Sequence, residues 1–192
     1  MEEDILPETE RWERDIEGHW VPVGLNPVKL FARYESGGHF APHTDGSTIE
    51  SFNHRSLWSV IIYLNDCDGG ETRMLREEAL TQLALDADGR YRGSPAFAVT
   101  SVAPRAGRVL VFHQSLAHEG CPPAEAHLKY IIRSDVMFDR TPAICDSARD
   151  REAFEVYNEA KEAEGAGQLE DAVAGFKRFI RMSPVMADIY GM

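Results

Sequence analysis

Five segments of the chain are short, rich in β-branched and aromatic residues, and closed off by Gly, Pro, Asn or Asp: VKLFARY (28–34), LWSVIIYL (57–64), AFAVTSV (96–102), RVLVFH (108–113) and KYIIRSDVMF (129–138). Runs of that length and composition are strands. Their succession, broken by turn residues, predicts a sandwich or jelly roll rather than a parallel sheet with crossover helices. The two ends read differently. PETERWERDIE (7–17) opens on Pro7 and sets Trp12 and Ile16 four apart, which predicts a short helix with a narrow apolar stripe. From about residue 148 the period becomes helical. Ala153, Val156, Tyr157 and Ala160 form one stripe, and Leu169, Ala172, Val173, Phe176 and Phe179/Ile180 another, parted by EGAGQ (164–168). The expected fold is mostly β with flanking helices: a double-stranded β-helix (jelly roll) within residues 1–140 and a helical hairpin within residues 141–192.

Charge and cysteine usage narrow the classes of partner. The 32 acidic residues against 20 basic give a formal charge of −12, which opposes the phosphate neutralisation behind most non-specific nucleic-acid affinity. No Lys/Arg cluster offsets it, so no nucleic-acid partner is expected. No run approaches the roughly 20 apolar residues that cross a bilayer. The start, MEEDILPETERWERDIEGHW, is acidic where a secretory or transit peptide is basic. A cytoplasmic protein without membrane association is therefore expected. Cys67, Cys121 and Cys145 are odd in number and include no Cys-x-x-Cys pair, which reads as free thiols rather than a disulfide framework or a zinc site.

The stretch FARYESGGHFAPHTDGS (31–47) carries the first sign of chemistry. On a strand, side chains two apart point the same way, so His43 and Asp45 can present a nitrogen and an oxygen to one point. Further on, RVLVFHQSLAHEGCPP places His118 on a loop between strands, where ligands are displayed at a barrel mouth. Two histidines and a carboxylate with the opposite side open make the facial set that holds Fe(II) in non-haem oxygenases. His113, at the end of its strand, competes with His118 for the third position.

RYESGGHFAPHTDGS, SVIIYLNDCDGGET, PRAGRVLVFHQSLAHEG and KYIIRSDVMF together resemble the successive catalytic segments of the 2-oxoglutarate- and Fe(II)-dependent dioxygenases, in particular the prolyl 4-hydroxylase-like branch. The likeness runs over about residues 25 to 138, in the family's order. It implies His43, Asp45 and His118 as iron ligands, with Fe(II), 2-oxoglutarate and O2 as cofactor and co-substrates and ascorbate as an auxiliary reductant. It also implies that Lys129, in the Lys-aromatic pair Lys129-Tyr130, binds the distal carboxylate of 2-oxoglutarate, and that Tyr34 and Tyr63 donate hydrogen bonds to that same carboxylate. Ser59 lies four residues from Tyr63 on one strand face and lines the same pocket. Gly69 and Gly70 start the next strand after a turn, with Thr72 near the pocket. Related halogenases carry a small residue in place of the carboxylate, so Asp45 implies hydroxylation. The plainer readings are core tyrosines at 34 and 63, a solvated Lys129, and a mere hairpin turn at the glycines.

Arg133 shares a strand face with Lys129 and Ile131 and is expected nearer the iron, in a catalytic role. A buried guanidinium needs an anion, either a substrate carboxylate, 2-oxoglutarate or Asp135, and Arg133 and Lys129 are candidates for each other's part. The expected activity is hydroxylation of a C–H bond, first of a prolyl or other residue of a protein substrate. Alternatives are a hydroxylase of a free amino acid or small metabolite, or an inactive oxygenase scaffold used as a binding module. The C-terminal segment resembles one tetratricopeptide repeat, with Ala160, Gly167, Ala172, Phe176 and Pro184 near that repeat's small, aromatic and proline positions. Its stripe is expected either to pack on the β domain or to contact a protein partner.

Overall fold

A computed structural model of the protein describes residues 14–86 and 89–192. The described strands are β1 (Trp20–Leu25), β2 (Leu30–Tyr34), β3 (Phe40–His43), β4 (Ile49–Ser51), β5 (His54–Tyr63), β6 (Thr72–Leu75), β7 (Leu83–Leu85), β8 (Tyr91–Gly93), β9 (Ala98–Val102), β10 (Val109–His113), β11 (His118–Gly120) and β12 (Lys129–Arg140). The helices are α1 (Ala148–Gly165), α2 (Leu169–Met182) and α3 (Pro184–Ile189). The five strands expected from composition correspond to β2, β5, β9, β10 and β12. The others are three or four residues long or, like β1, carry Pro22 and Gly24, which weaken the strand signal. Of the helix expected over 7–17, the structure shows a 3₁₀ turn at Arg14–Ile16; residues 7–13, with Trp12, lie outside the described residues. The described residues form two compact units, one of residues 23–48 and 56–137, the other of residues 14–22, 49–55 and 138–192.

In the first unit two sheets carry the core. One has the order β2, β12, β5, β10, and the other β3, β11, β6, β9. The pairings are antiparallel, with Tyr34 opposite Lys129, Leu30 opposite Arg133, and Val60 opposite Val111. Buried Ile61, Tyr63, Phe112 and Ile131 of the first sheet pack with Met74 of the second, and Ala32, Tyr34, Val102 and Leu110 extend the cluster. This is the jelly-roll arrangement. Because successive side chains on a strand alternate, Lys129, Ile131, Arg133 and Asp135 of β12 all turn to the interior side.

In the second unit, Ser147 caps α1 by accepting from the Asp150 N–H while Asp150 accepts from the Ser147 N–H, a reciprocal capping box. The α1 and α2 stripes meet at a close crossing, where a Cβ added to Gly175 would stand 2.7 Å from Ala160 Cβ. Pro184 occupies the first turn of α3, a helix that periodicity did not signal because it is only six residues long. Ala153, Phe154 and Val156 of α1, Phe179 of α2, and Met186 and Ala187 of α3 form one core with Phe52 from the turn between β4 and β5. Arg140 lies 4.4 Å from the centre of the Trp20 ring and 5.2 Å from that of Phe52, and Arg55 pairs with Asp15 at 2.7 Å. Phe52 is 2% exposed, and residues of all three helices pack against it. A chain ending at Asp146 is therefore expected to lose solubility and melting temperature, since uncovering one buried aromatic side chain alone costs about 1.5–3 kcal/mol. A truncated protein that melts with the full chain would overturn this. No helix of the described residues is long and apolar enough to cross a membrane.

Candidate metal centre

β3 ends on His43, and Asp45 lies past the strand, tied by its backbone N–H to the carbonyl of Gln114 at 2.9 Å. The expected shared strand face is therefore not what aims Asp45; the loop's bond to the residue after β10 does. His118 opens β11 rather than standing in a loop, and faces His43 directly in antiparallel register. Cross-strand neighbours in such a pair are close, and the two imidazole centres are 4.2 Å apart. His43 Nε2 stands 3.5 Å from Asp45 Oδ1 and His118 Nε2 3.6 Å from Asp45 Oδ2. One ligand atom from each residue lies within 4.8 Å of the other two.

Both rings are oriented from behind. His43 Nδ1 is 2.8 Å from the Ala41 carbonyl and His118 Nδ1 2.9 Å from that of Leu116. A carbonyl only accepts, so each neutral ring carries its proton on Nδ1 and offers the Nε2 lone pair. Burial pulls His118 below the ordinary histidine range, which keeps it in that neutral form. Burial pushes Asp45 upward, but the Ser59 hydroxyl and the Arg133 guanidinium favour its charged form and hold the carboxyl below the ordinary range. Phe40 and Phe112 flank the imidazoles at 4.3 and 4.6 Å. Two imidazole lone pairs and an ionised carboxylate, with an open side, fit a divalent ion of the iron type.

That open side is a cavity of about 280 Å³, walled by Leu30, Ala32, Tyr34, Phe40, Thr44, Ile61, Thr72, Ile131, Lys129 and Arg133 among others. Lys129 is 2% exposed. Among the described residues its ammonium has no hydrogen-bond or ion-pair partner, and its neighbours are the rings of Tyr34 and Tyr63, centred at 5.0 and 5.8 Å. Burial brings its pKa down to about 8. Gly70, at φ +70°, lets the backbone pass against the lysine stem, for a Cβ there would lie 3.1 Å from Lys129 Cδ.

Other candidates have more specific partners than the sequence disclosed. Ser59 donates to Asp45 Oδ2 at 2.5 Å, and so acts on a ligand of the triad. The Tyr63 hydroxyl is spent on Thr72 Oγ1 at 2.7 Å, and it is Thr72 that reaches the cavity wall. Tyr34 lines the cavity, its hydroxyl pKa raised by burial. Arg133 Nη2 is 2.7 Å from Asp45 Oδ1. His113 bonds to Ser115 Oγ through Nδ1 at 2.8 Å and lies against Trp58, outside the triad. Gln114 and Asp135 escaped sequence reasoning: Gln114 Nε2 donates to Asp135 Oδ1 at 3.1 Å behind the site. Nothing in a lone glutamine after His113 signals this, and Asp135 appeared only as a partner for Arg133.

A family model of the 2OG-Fe(II) oxygenase superfamily matches residues 30–134. No curated protein matches the chain. Among solved structures, the chain is similar to a prolyl-4-hydroxylase of Pseudomonas putida, at 25% identity over 58% of this chain and 51% of that one, with a TM-score of 0.37. It is also similar to a 2OG-Fe(II) oxygenase family oxidoreductase of Burkholderia pseudomallei, at 17% identity over 65% and 47%, with a TM-score of 0.39. A third likeness is to a prolyl hydroxylase of Trichoplax adhaerens, solved with a hypoxia inducible factor peptide fragment, at 18% identity over 65% and 48%, with a TM-score of 0.41. The chain spans about half the length of each of these proteins.

Proposed function

Because the chain belongs to the 2OG-Fe(II) oxygenase superfamily, we propose that it is a 2-oxoglutarate-dependent dioxygenase that hydroxylates a C–H bond, with His43, Asp45 and His118 holding the iron. The observation that carries this reading is the convergence of two rings, each locked by a backbone carbonyl on Nδ1, and one ionised carboxylate on a single open position. Iron bound there, with 2-oxoglutarate and O2, supplies the oxidation in which 2-oxoglutarate becomes succinate and CO2 and one oxygen atom enters the C–H bond.

Each protein group has a part in that scheme. Lys129 is a buried cation without an ion-pair partner among the described residues, which suits one carboxylate of 2-oxoglutarate. Tyr34 and Thr72 supply hydroxyls on the same cavity wall. Buried Phe112 and Ile131 exclude water around the triad. Ser59 fixes the Asp45 carboxylate. The resemblance to the prolyl 4-hydroxylase-like branch favours a prolyl or other residue of a protein as substrate. The second reading, a free amino acid or small acid, draws on Arg133, a cation on the cavity wall near the triad that suits a substrate carboxylate.

Anaerobic titration of the full chain with Fe(II) and then 2-oxoglutarate tests the proposal. The expected result is a weak visible charge-transfer band that needs both, followed on air by succinate. A protein that binds Fe(II) and 2-oxoglutarate without the band, or binds neither, would sink it. Mass spectrometry of candidate peptides and amino acids after turnover then separates the substrate classes by which one gains an oxygen atom.

A further inference from the structure

Arg133 places a cation beside a site that would itself take a cation. Its Nη2 stands 2.7 Å from Asp45 Oδ1 and 3.9 Å from Asp135 Oδ1. The second aspartate is buried and anchored: Gln114 Nε2 donates to its Oδ1 at 3.1 Å, and Asn26 Nδ2 and Thr48 Oγ1 reach its Oδ2 at 3.4 and 3.3 Å. Gln114 is held in turn by Ser56, donating from Nε2 to its hydroxyl at 3.0 Å. The guanidinium thus has a short contact to a carboxylate of the triad and a long one to a fixed carboxylate outside it. Its side chain is 31% exposed where that of Asp45 is 5%, so the arginine has room to move along the cavity wall and the aspartate does not.

A divalent ion on Asp45 and a guanidinium on the same carboxylate repel each other at short range. We propose that Arg133 is a built-in counter-cation, which holds Asp45 in the metal-free protein and passes to Asp135 when the metal binds. It is a positioning residue: it keeps the carboxylate aimed before the ion arrives, and its transfer then leaves a guanidinium facing the cavity that an anionic co-substrate or substrate must enter. The buried network of Gln114, Asn26 and Thr48 keeps the second station in place. The inference rests on the reading of the triad as an iron site.

The test is anaerobic Co(II) titration of the full chain, followed by visible absorption. Arg133→Met removes the competitor and is expected to tighten Co(II) about tenfold or more, while Asp135→Asn removes the second station and weakens it by a similar factor, within the roughly 10–100-fold range of changes behind a ligand. A merely structural role would weaken both. On the wild-type protein, saturating Co(II) is expected to quicken modification of Arg133 by phenylglyoxal, located by peptide mass. Equal or weaker Co(II) binding by Arg133→Met, or a modification rate indifferent to Co(II), overturns the proposal while leaving the iron site standing. Failure of the wild type to bind Co(II) or Fe(II) at all overturns both.

Discussion

His43→Ala, Asp45→Ala and His118→Ala are each expected to abolish metal-dependent succinate formation while leaving the fold in place. Loss of a partner behind a metal ligand already costs about 10–100-fold in affinity or activity, so loss of the ligand itself is expected to exceed about 100-fold. The fold survives because none of the three belongs to the apolar cluster of Ile61, Tyr63, Met74, Phe112 and Ile131. Circular dichroism and melting check the fold, and metal titration with succinate assay checks the site. His113→Ala is the internal control, since His113 is engaged with Ser115 and Trp58. Activity kept in His118→Ala and lost in His113→Ala would assign the third ligand wrongly.

Lys129→Met is expected to act in two directions at once. It should weaken 2-oxoglutarate by about one to two orders of magnitude, from loss of a charge-assisted contact of roughly 1.5–3 kcal/mol. It should also raise the melting temperature of the ligand-free protein at neutral pH, because a buried charge without a partner is replaced by an apolar chain of similar length. The pH dependence follows from burial, which lowers the lysine from 10.5 to about 8. Between those values the unfolded chain binds more protons than the folded one, so the stability of the ligand-free protein rises with pH through that window. Binding of the 2-oxoglutarate dianion has the opposite sign. With Lys129 as the proposed anchor, binding requires the protonated lysine, so affinity is expected to be level below about pH 8 and to fall by up to about tenfold per pH unit above it, a dependence expected to disappear in Lys129→Met. Isothermal titration across that range reads both effects, and a methionine variant that binds 2-oxoglutarate as the wild type does would move the anchor elsewhere.

Elements with a strong local period, and the residue types of the candidate site, are legible in the amino-acid order alone. VKLFARY, LWSVIIYL, RVLVFH and KYIIRSDVMF alternate or run apolar over strand lengths, and α1 and α2 repeat at helical spacing on either side of EGAGQ. Period two on β12 alone was enough to put Lys129, Ile131 and Arg133 on one wall, as they stand. Which groups meet is a matter of long-range packing. His118 belongs to a three-residue strand too short to carry a period, and its place opposite His43 is a matter of register between strands 75 residues apart in sequence. Asp45 is aimed by the carbonyl of Gln114, Ser59 is bound to Asp45, the Tyr63 hydroxyl to Thr72, and Arg133 stands between two aspartates. The hairpin stripe likewise announced that it must be covered, yet Phe52 as its cover lies in a turn about a hundred residues upstream. The reason is one of range: backbone sterics and side-chain alternation act over a few residues and leave their mark in local sequence, whereas hydrogen-bond and charge partners are chosen among groups that only the closed sheets bring within reach.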